Sequence, residues 1–309
     1  MEVFYDVAEV PYNKKTILTL GTFDGLHLGH QQILNKIISK AKDDGRSFLI
    51  TFEPHPRTVL SKGFEARIIT TLEEKIKVLE KIGIDNLLVI NFTKEFSQIS
   101  SEDFIKNYLV EKIGLSDIVI GYDHHFGKGR SGNKETLINL GKEYDFEVTQ
   151  VDAENVNGET ISSTKIRNAI LDGDIKTANK FLGRDYTFSG VVVEGDKRGR
   201  TLGFPTANID LHHKSKIVPK TGIYAVQIIV EGIKYNGVMS IGTRPTFYNF
   251  GNITIEVFIF DFDKEIYGES VEVFVVERLR DELKFNDVNK LIKQMNLDCQ
   301  QAKEVLINI

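Results

Sequence analysis

Within ten residues, Gly21-Thr22-Phe23-Asp24-Gly25-Leu26-His27-Leu28-Gly29-His30 gathers side chains and backbone suited to holding a phosphate. An apolar run, Ile17-Leu18-Thr19-Leu20, precedes it and reads as a short buried strand. Ile33, Leu34, Ile37, Ile38 and Ala41 follow at helical spacing. The stretch is therefore a strand, a glycine-rich turn and a helix start. Gly21 and Gly25 let the backbone approach a ligand without a Cβ in the way. The N–H groups opening the helix favour an anion, typically phosphate. Gly21, Thr22 and Phe23 are the candidate nucleotide contacts of the turn. His27 and His30, three apart, project toward one spot on the first helical turn. Imidazoles donate hydrogen bonds to phosphoryl oxygens as charge builds on them. Two plainer readings stay open. A His pair at this spacing suits a metal, although no Glu sits between them and no Cys or acidic ligand follows nearby. A purely structural turn is the other.

Two further stretches carry candidate chemistry. In Ile161-Ser162-Ser163-Thr164-Lys165-Ile166-Arg167, Ser163 or Thr164 is placed to cap a helix running through Ile166, Ala169, Ile170 and Leu171. A hydroxyl pair at a helix start, with an Arg one turn on, makes a second anion cradle, because the guanidinium fork donates in parallel. Taken alone the pattern is only an N-cap. Later, Gly195, Lys197, Arg198, Gly199, Arg200 and Gly203 alternate glycine with positive charge, and Pro205 then rigidifies Thr206-Ala207-Asn208. A Thr hydroxyl and an Asn carbonyl suit a hard cation such as Mg²⁺, which borrows further ligands from phosphate and water. No Gly-Lys-Ser/Thr follows the glycines, so this is not a P-loop. The residues alone say basic loop and leave phosphate binding open.

The elements that must position these residues differ between the halves. Ser47 to Phe52, Leu87 to Phe92, Ile118 to Ile120 and Phe146 to Val151 read as further strands. Helical patterns run from Thr71 to Ile82, from Ser101, and up to about Lys142. In the Thr71 helix, Leu72, Ile76 and Leu79 form the apolar face and Glu73, Glu74, Lys75 and Lys77 the polar one. Strands alternating with helices imply parallel βαβ units with functional loops at the strand C-termini. Glu53-Pro54-His55-Pro56 is a rigid loop at one such end. From Tyr186 the helical period disappears. Five runs rich in β-branched and aromatic residues lie at 189–193, 223–230, 235–240, 254–260 and 271–276, which suggests an antiparallel barrel. A helix from Val288 to Leu306 packs outside it. The expected domains are 1–185 and 186–309, without a low-complexity linker.

At 309 residues the chain suits two domains with their own cores. Its net charge of −5 excludes broad electrostatic binding of nucleic acid. No apolar run approaches a membrane span, and the start shows no secretion signal. The single cysteine, Cys299, rules out an intrachain disulfide and a cysteine metal site. These features point to the cytoplasm, with no nucleic acid, no membrane and no obligate protein partner.

The first stretch resembles the HxGH signature of the nucleotidyltransferases, and its fuller form Gly-Thr-Phe-Asp-Gly-x-His-x-Gly-His is similar to the start of the prokaryotic bifunctional FAD synthetases. Gly203-Phe204-Pro205-Thr206-Ala207-Asn208 resembles the riboflavin kinase signature. Further similarity runs through Gly222-Ile223-Tyr224, Gly242-Thr243-Arg244-Pro245-Thr246-Phe247, Ile255-Glu256-Val257, Tyr267-Gly268 and 278–285. The resemblance implies a Rossmann-like N-terminal domain that joins FMN to AMP from ATP, giving FAD and pyrophosphate. It implies a C-terminal barrel that phosphorylates riboflavin with ATP to give FMN. His27, His30 and Arg167 then stabilise charge on the α-phosphate. Ser163 and Thr164 belong to a second nucleotide signature. Glu256 is the kinase base, Thr206 and Asn208 hold Mg²⁺ and ATP phosphates, and Gly195, Lys197, Arg200, Gly203 and Pro205 lie along ATP. Asp123, Phe126, Arg280 and Phe285 contact flavin. The sequence departs from the family at His124-His125, where Phe-Arg is usual, and at Glu194, where many relatives carry His. The alternatives are a single-activity nucleotidyltransferase for another acceptor and a flavin-sensing binding protein; neither needs Thr206, Asn208 and Glu256 together with the HxGH stretch.

Overall fold

Apolar runs bounded by glycine and proline set the strands of both halves. A computed structural model describes residues 1–42, 44–61, 63, 66–122, 125–156, 158–195, 198–211, 213–243 and 253–307, with only the backbone at 130, 156, 198 and 201. Asp123, His124, Lys197 and the Arg244-Pro245-Thr246-Phe247 stretch lie outside the described residues. The chain divides into two compact units: Met1–Ala66 with Leu72–Ser162, and Arg67–Thr71 with Ser163–Ile309.

The first unit runs β1 (Glu2–Phe4), β2 (Thr16–Leu20), α1 (Leu28–Lys40), β3 (Arg46–Glu53), α2 (Pro56–Leu60), α3 (Leu72–Ile82), β4 (Asn86–Asn91) and α4 (Ser101–Asp103), which continues as π-helical Phe104–Ile113. Then come β5 (Leu115–Gly121), α5 (Lys134–Tyr144), β6 (Glu147–Val151) and the small hairpin β7 (Asn155–Val156) and β8 (Glu159–Thr160). The six-stranded sheet has the order β1-β4-β3-β2-β5-β6 and is parallel throughout. Both faces are covered, which is why its inner strands read as continuous apolar runs. Leu18, Leu20, Phe48 and Ile50 point into one core, and Ile17, Leu49 and Leu87 into the other. The sequence pattern anticipates five of these strands; the edge strand β1, with three residues, is too short to show a period. Strand order reverses between β2 and β5, so the loops leaving their C-terminal ends, at Gly21 and Gly121, flank the crevice where open parallel sheets hold ligands.

The second unit runs α6 (Ser163–Asp172), α7 (Ile175–Leu182), β9 (Tyr186–Val193), α8 (Arg198–Thr201), β10 (Thr206–Asp210), β11 (Gly222–Val230), β12 (Ile233–Thr243), β13 (Ile253–Ile259), β14 (Ser270–Arg280) and α9 (Val288–Leu306). The strands close an antiparallel barrel in the order β10-β13-β12-β11-β14-β9. Inward residues alternate along each strand, as in Tyr186, Phe188 and Val192, or Ile255, Val257 and Ile259. Ala302 and Leu306 of α9 cover Ala225 and Phe260 on the barrel's outside. The sixth strand, β10, is the Thr-x-Asn stretch that the composition read as loop. Arg67–Thr71 joins this unit: the Ile68 N–H donates to the Ser215 carbonyl at 2.8 Å, and Lys216 Nζ to the Ile69 carbonyl at 2.6 Å.

Candidate active sites

The turn after β2 is strained and well anchored. Phe23 and Leu26 have φ of 45° and 43°, a region bulky residues rarely adopt, and Gly25 between them has 89°. The side chains of Phe23 and Leu26 are buried in the core beside α1, and their burial offsets the backbone cost. Gly21 has φ 157°, and a Cβ there would lie 3.2 Å from the Phe23 ring, so glycine is required. His27 caps α1. Its Nδ1 accepts from the His30 N–H at 3.3 Å, which makes Nε2 the proton-bearing nitrogen of the neutral ring. The two imidazoles stack with centroids 3.7 Å apart, and Phe23 packs against His30 at 4.7 Å. The structure therefore brings His27, His30 and Phe23 together at a helix N-terminus. A Cβ at Gly29 would meet His27 Nδ1 at 3.3 Å, so the small residue leaves room for the ring.

Below the turn lies a group that the sequence pattern missed. Glu74 and Lys75, expected on the polar face of α3, are both buried at 5% exposure. Lys75 Nζ donates to the Thr22 carbonyl at 2.7 Å and to Thr51 Oγ1 at 3.0 Å. Burial pulls its ammonium down to about 8, against support from Asp24 and Glu53. The signal was present in the spacing: Lys75 stands three after Leu72 and four before Leu79, on the apolar stripe. Lys75 takes that place because loop oxygens receive it.

Phe126, a flavin candidate, is buried in the core at 6% exposure and pairs with Gly132 through two backbone hydrogen bonds. A Cβ at Gly132 would lie 2.7 Å from that ring. His55 caps α2, its Nδ1 accepting from the Arg57 N–H at 3.2 Å. Ser163 and Thr164 stand in the first turn of α6 rather than ahead of it, so neither occupies the capping position. Arg167, one turn on, donates from Nε to the Arg67 carbonyl at 2.7 Å; both belong to the second unit.

In the barrel, Thr206 and Asn208 lie two apart on β10 and so share its outer face, while Ala207 and Ile209 point inward. β10 pairs with β13 in a register that sets Asn208 opposite Glu256. Thr206 Oγ1 donates to Glu256 Oε2 at 3.1 Å. The three candidates thus meet on one surface. Gly195 passes close to the Asn208 carboxamide: a Cβ there would lie 2.2 Å from Nδ2. At Gly199 a Cβ would meet the Phe204 carbonyl at 2.2 Å, so glycine lets α8 fold down on the Gly203-Phe204-Pro205 turn. Arg200 pairs with Glu265 at 3.1 Å on the surface. Arg280 ends β14 with its fork on Asp298 of α9, at 2.7 and 2.6 Å. Phe285 is half-buried in the following loop.

Comparison with known proteins matches residues 9–165 to the family described as FAD synthetase and residues 182–306 to that described as riboflavin kinase. The chain is 42% identical over 291 residues to a bifunctional riboflavin kinase/FMN adenylyltransferase of Listeria monocytogenes, covering 93% of this chain and 91% of that one. The chain belongs to this family. A Bacillus subtilis member is 39% identical, covering 96% of this chain and 94% of that one. A solved Streptococcus pneumoniae structure, titled a macrolide-efflux protein, is 32% identical with a TM-score of 0.89 over 97% of this chain and 98% of that one. Among the described residues, no helix is long and apolar enough to cross a membrane.

Proposed function

We propose that the family's two activities are divided between the two motif sets, one in each half of the chain. The chain is an ATP-using transferase that phosphorylates riboflavin to FMN and adenylylates FMN to FAD, releasing pyrophosphate. The observation that carries the kinase assignment is the meeting of Thr206, Asn208 and Glu256 on one barrel face. Glu256 accepts the proton of the ribityl terminal hydroxyl as that oxygen attacks the γ-phosphate of ATP. The Thr206 hydroxyl and Asn208 carbonyl fit Mg²⁺, being neutral oxygen donors beside a carboxylate. Among the described residues, no cluster of three His, Cys, Asp or Glu offers a metal site of its own; phosphate and water would supply the remaining ligands of the ion. When bound, the ion neutralises phosphate charge. Gly195, Lys197, Arg200, Gly203 and Pro205 line the nucleotide.

For adenylyl transfer, the FMN phosphate is already an anion and needs no base. His27, His30 and Arg167 stabilise charge on the α-phosphate, and Gly21, Thr22, Phe23, Ser163 and Thr164 bind ATP. The assignment to Arg167, Ser163 and Thr164 rests on the second signature. Flavin meets Asp123 and Phe126 in one reaction and Arg280 and Phe285 in the other. The functional boundary falls at 185/186, and the enzyme works in the cytoplasm without nucleic acid, membrane or an obligate protein partner. Incubation with riboflavin or with supplied FMN, each with ATP and with Mg²⁺ or excess EDTA, followed by separation of the flavins, tests this. The expected result is FMN and then FAD with Mg²⁺ and neither in EDTA. FAD from FMN without conversion of riboflavin would instead favour a single-activity nucleotidyltransferase, and neither product would favour a binding protein.

A further inference from the structure

Lys75 is a buried charge that the reaction as described leaves unused. Its ammonium and the Thr51 hydroxyl converge on one acceptor, the Thr22 carbonyl, at 2.7 and 3.3 Å. A trans peptide is planar, and its C=O and following N–H point opposite ways. Fixing the Thr22 carbonyl toward α3 therefore turns the Phe23 N–H to the other side of the loop, and Phe23 is the residue that packs on His30. Stability does not account for a lysine here. A buried ammonium is costly, and an apolar side chain of similar length fills such a place at no greater cost. We propose that Lys75 is a positioning residue for adenylyl transfer: with Thr51 it holds the Thr22–Phe23 peptide in the orientation in which the HxGH loop receives the triphosphate. The inference rests on the assignment of that loop to adenylyl transfer.

A consequence is a particular pH dependence. The charges facing Lys75 are Asp24 in the loop and Glu53 at the end of β3, and Glu74 lies buried beside it on α3. Burial outweighs both attractions and brings the ammonium from 10.5 to about 8. Above that pH the hydrogen bond to Thr22 loses its charge assistance, and the loop loosens. The stability linkage has the opposite sign. Between about 8 and 10.5 the unfolded chain holds the extra proton, so the contribution of Lys75 to stability rises with pH. Activity and stability thus part company above about pH 8, which a merely structural lysine would not produce.

The test compares wild type, Lys75→Met, Lys75→Arg and His30→Ala, measuring kcat and KM for adenylylation of FMN from about pH 6.5 to about 9.5, with riboflavin phosphorylation by the same samples as reference. Expected are an alkaline fall near pH 8 in wild-type adenylylation that is absent from the kinase reaction, and its absence from both Lys75 variants. Lys75→Met should lower kcat about 10- to 100-fold at neutral pH with ATP KM shifted less than about threefold. A retained kcat, or an alkaline limb that persists in either variant, overturns the proposal. If Lys75→Met loses its near-ultraviolet circular dichroism, the wild-type profile decides, and a flat adenylylation profile overturns the proposal. His30→Ala separates the two levels: if it leaves adenylylation intact, the loop assignment itself has failed; if it abolishes turnover while Lys75→Met does not, only the role of Lys75 has.

Discussion

Gly195→Ala adds a single methyl group at the point where the kinase loop crosses Asn208. Built on the existing backbone, that Cβ would stand 2.2 Å from Asn208 Nδ2, 2.4 Å from Cγ and 2.6 Å from Oδ1. Ordinary contact requires the carboxamide to retreat by about 1 Å. The barrel can allow this, because the clashing atoms are the end of a side chain on the outer face, so an off-rotamer Asn costs about 1 kcal/mol or less in stability. The kinase should not tolerate it. A ligand displaced by about 1 Å in the reacting complex can cost about 100-fold in rate, close to 2.7 kcal/mol of transition-state stabilisation. The assay is steady-state phosphorylation of riboflavin with Mg²⁺ varied, set beside adenylylation of supplied FMN. Kinase kcat/KM should fall about 10- to 100-fold while adenylylation stays within about twofold and the melting temperature is nearly unchanged. A kinase within about threefold of wild type would refute the placing of Asn208 in the site.

His30→Ala should lower adenylylation kcat more than it raises the ATP KM, because its hydrogen bond strengthens as charge develops on the α-phosphate; steady-state kinetics with intact kcat and a raised KM would contradict this. Arg280→Ala leaves Asp298, 3% exposed, without its fork, and should destabilise the barrel unit by about 3 kcal/mol or more in urea unfolding. Adding Asp298→Ala should recover much of that loss, and a double variant as unstable as the single one would argue against the pairing.

The parallel sheet, the barrel and α9 were legible because their apolar periods are long and unbroken. The HxGH turn was legible because its glycines and histidines are rare in combination. What the sequence leaves illegible depends on partners far along the chain. Thr206–Asp210 reads as loop because it is only five residues long and follows a glycine-rich basic run and Pro205, yet it closes the barrel against β13 and β9. Only that pairing puts Asn208 across from Glu256. Lys75 reads as solvated because lysine usually is, and its burial becomes tolerable only once β3 and the turn after β2 supply oxygens. Arg67–Thr71 joins the second unit through Ser215, Lys216 and Ile217, contacts no local pattern can announce.

Glu256→Ala tests most directly the proposal that one chain carries two separable sites. The folded variant, checked by circular dichroism, should be given riboflavin in one reaction and FMN in another, each with ATP and Mg²⁺. Loss of the carboxylate that receives the Thr206 hydroxyl should abolish FMN formation from riboflavin, a general base being worth about 100-fold or more. Conversion of supplied FMN to FAD should continue at close to the wild-type rate. Equal loss of both conversions would show that the sites act as one unit and would contradict the proposed division of labour.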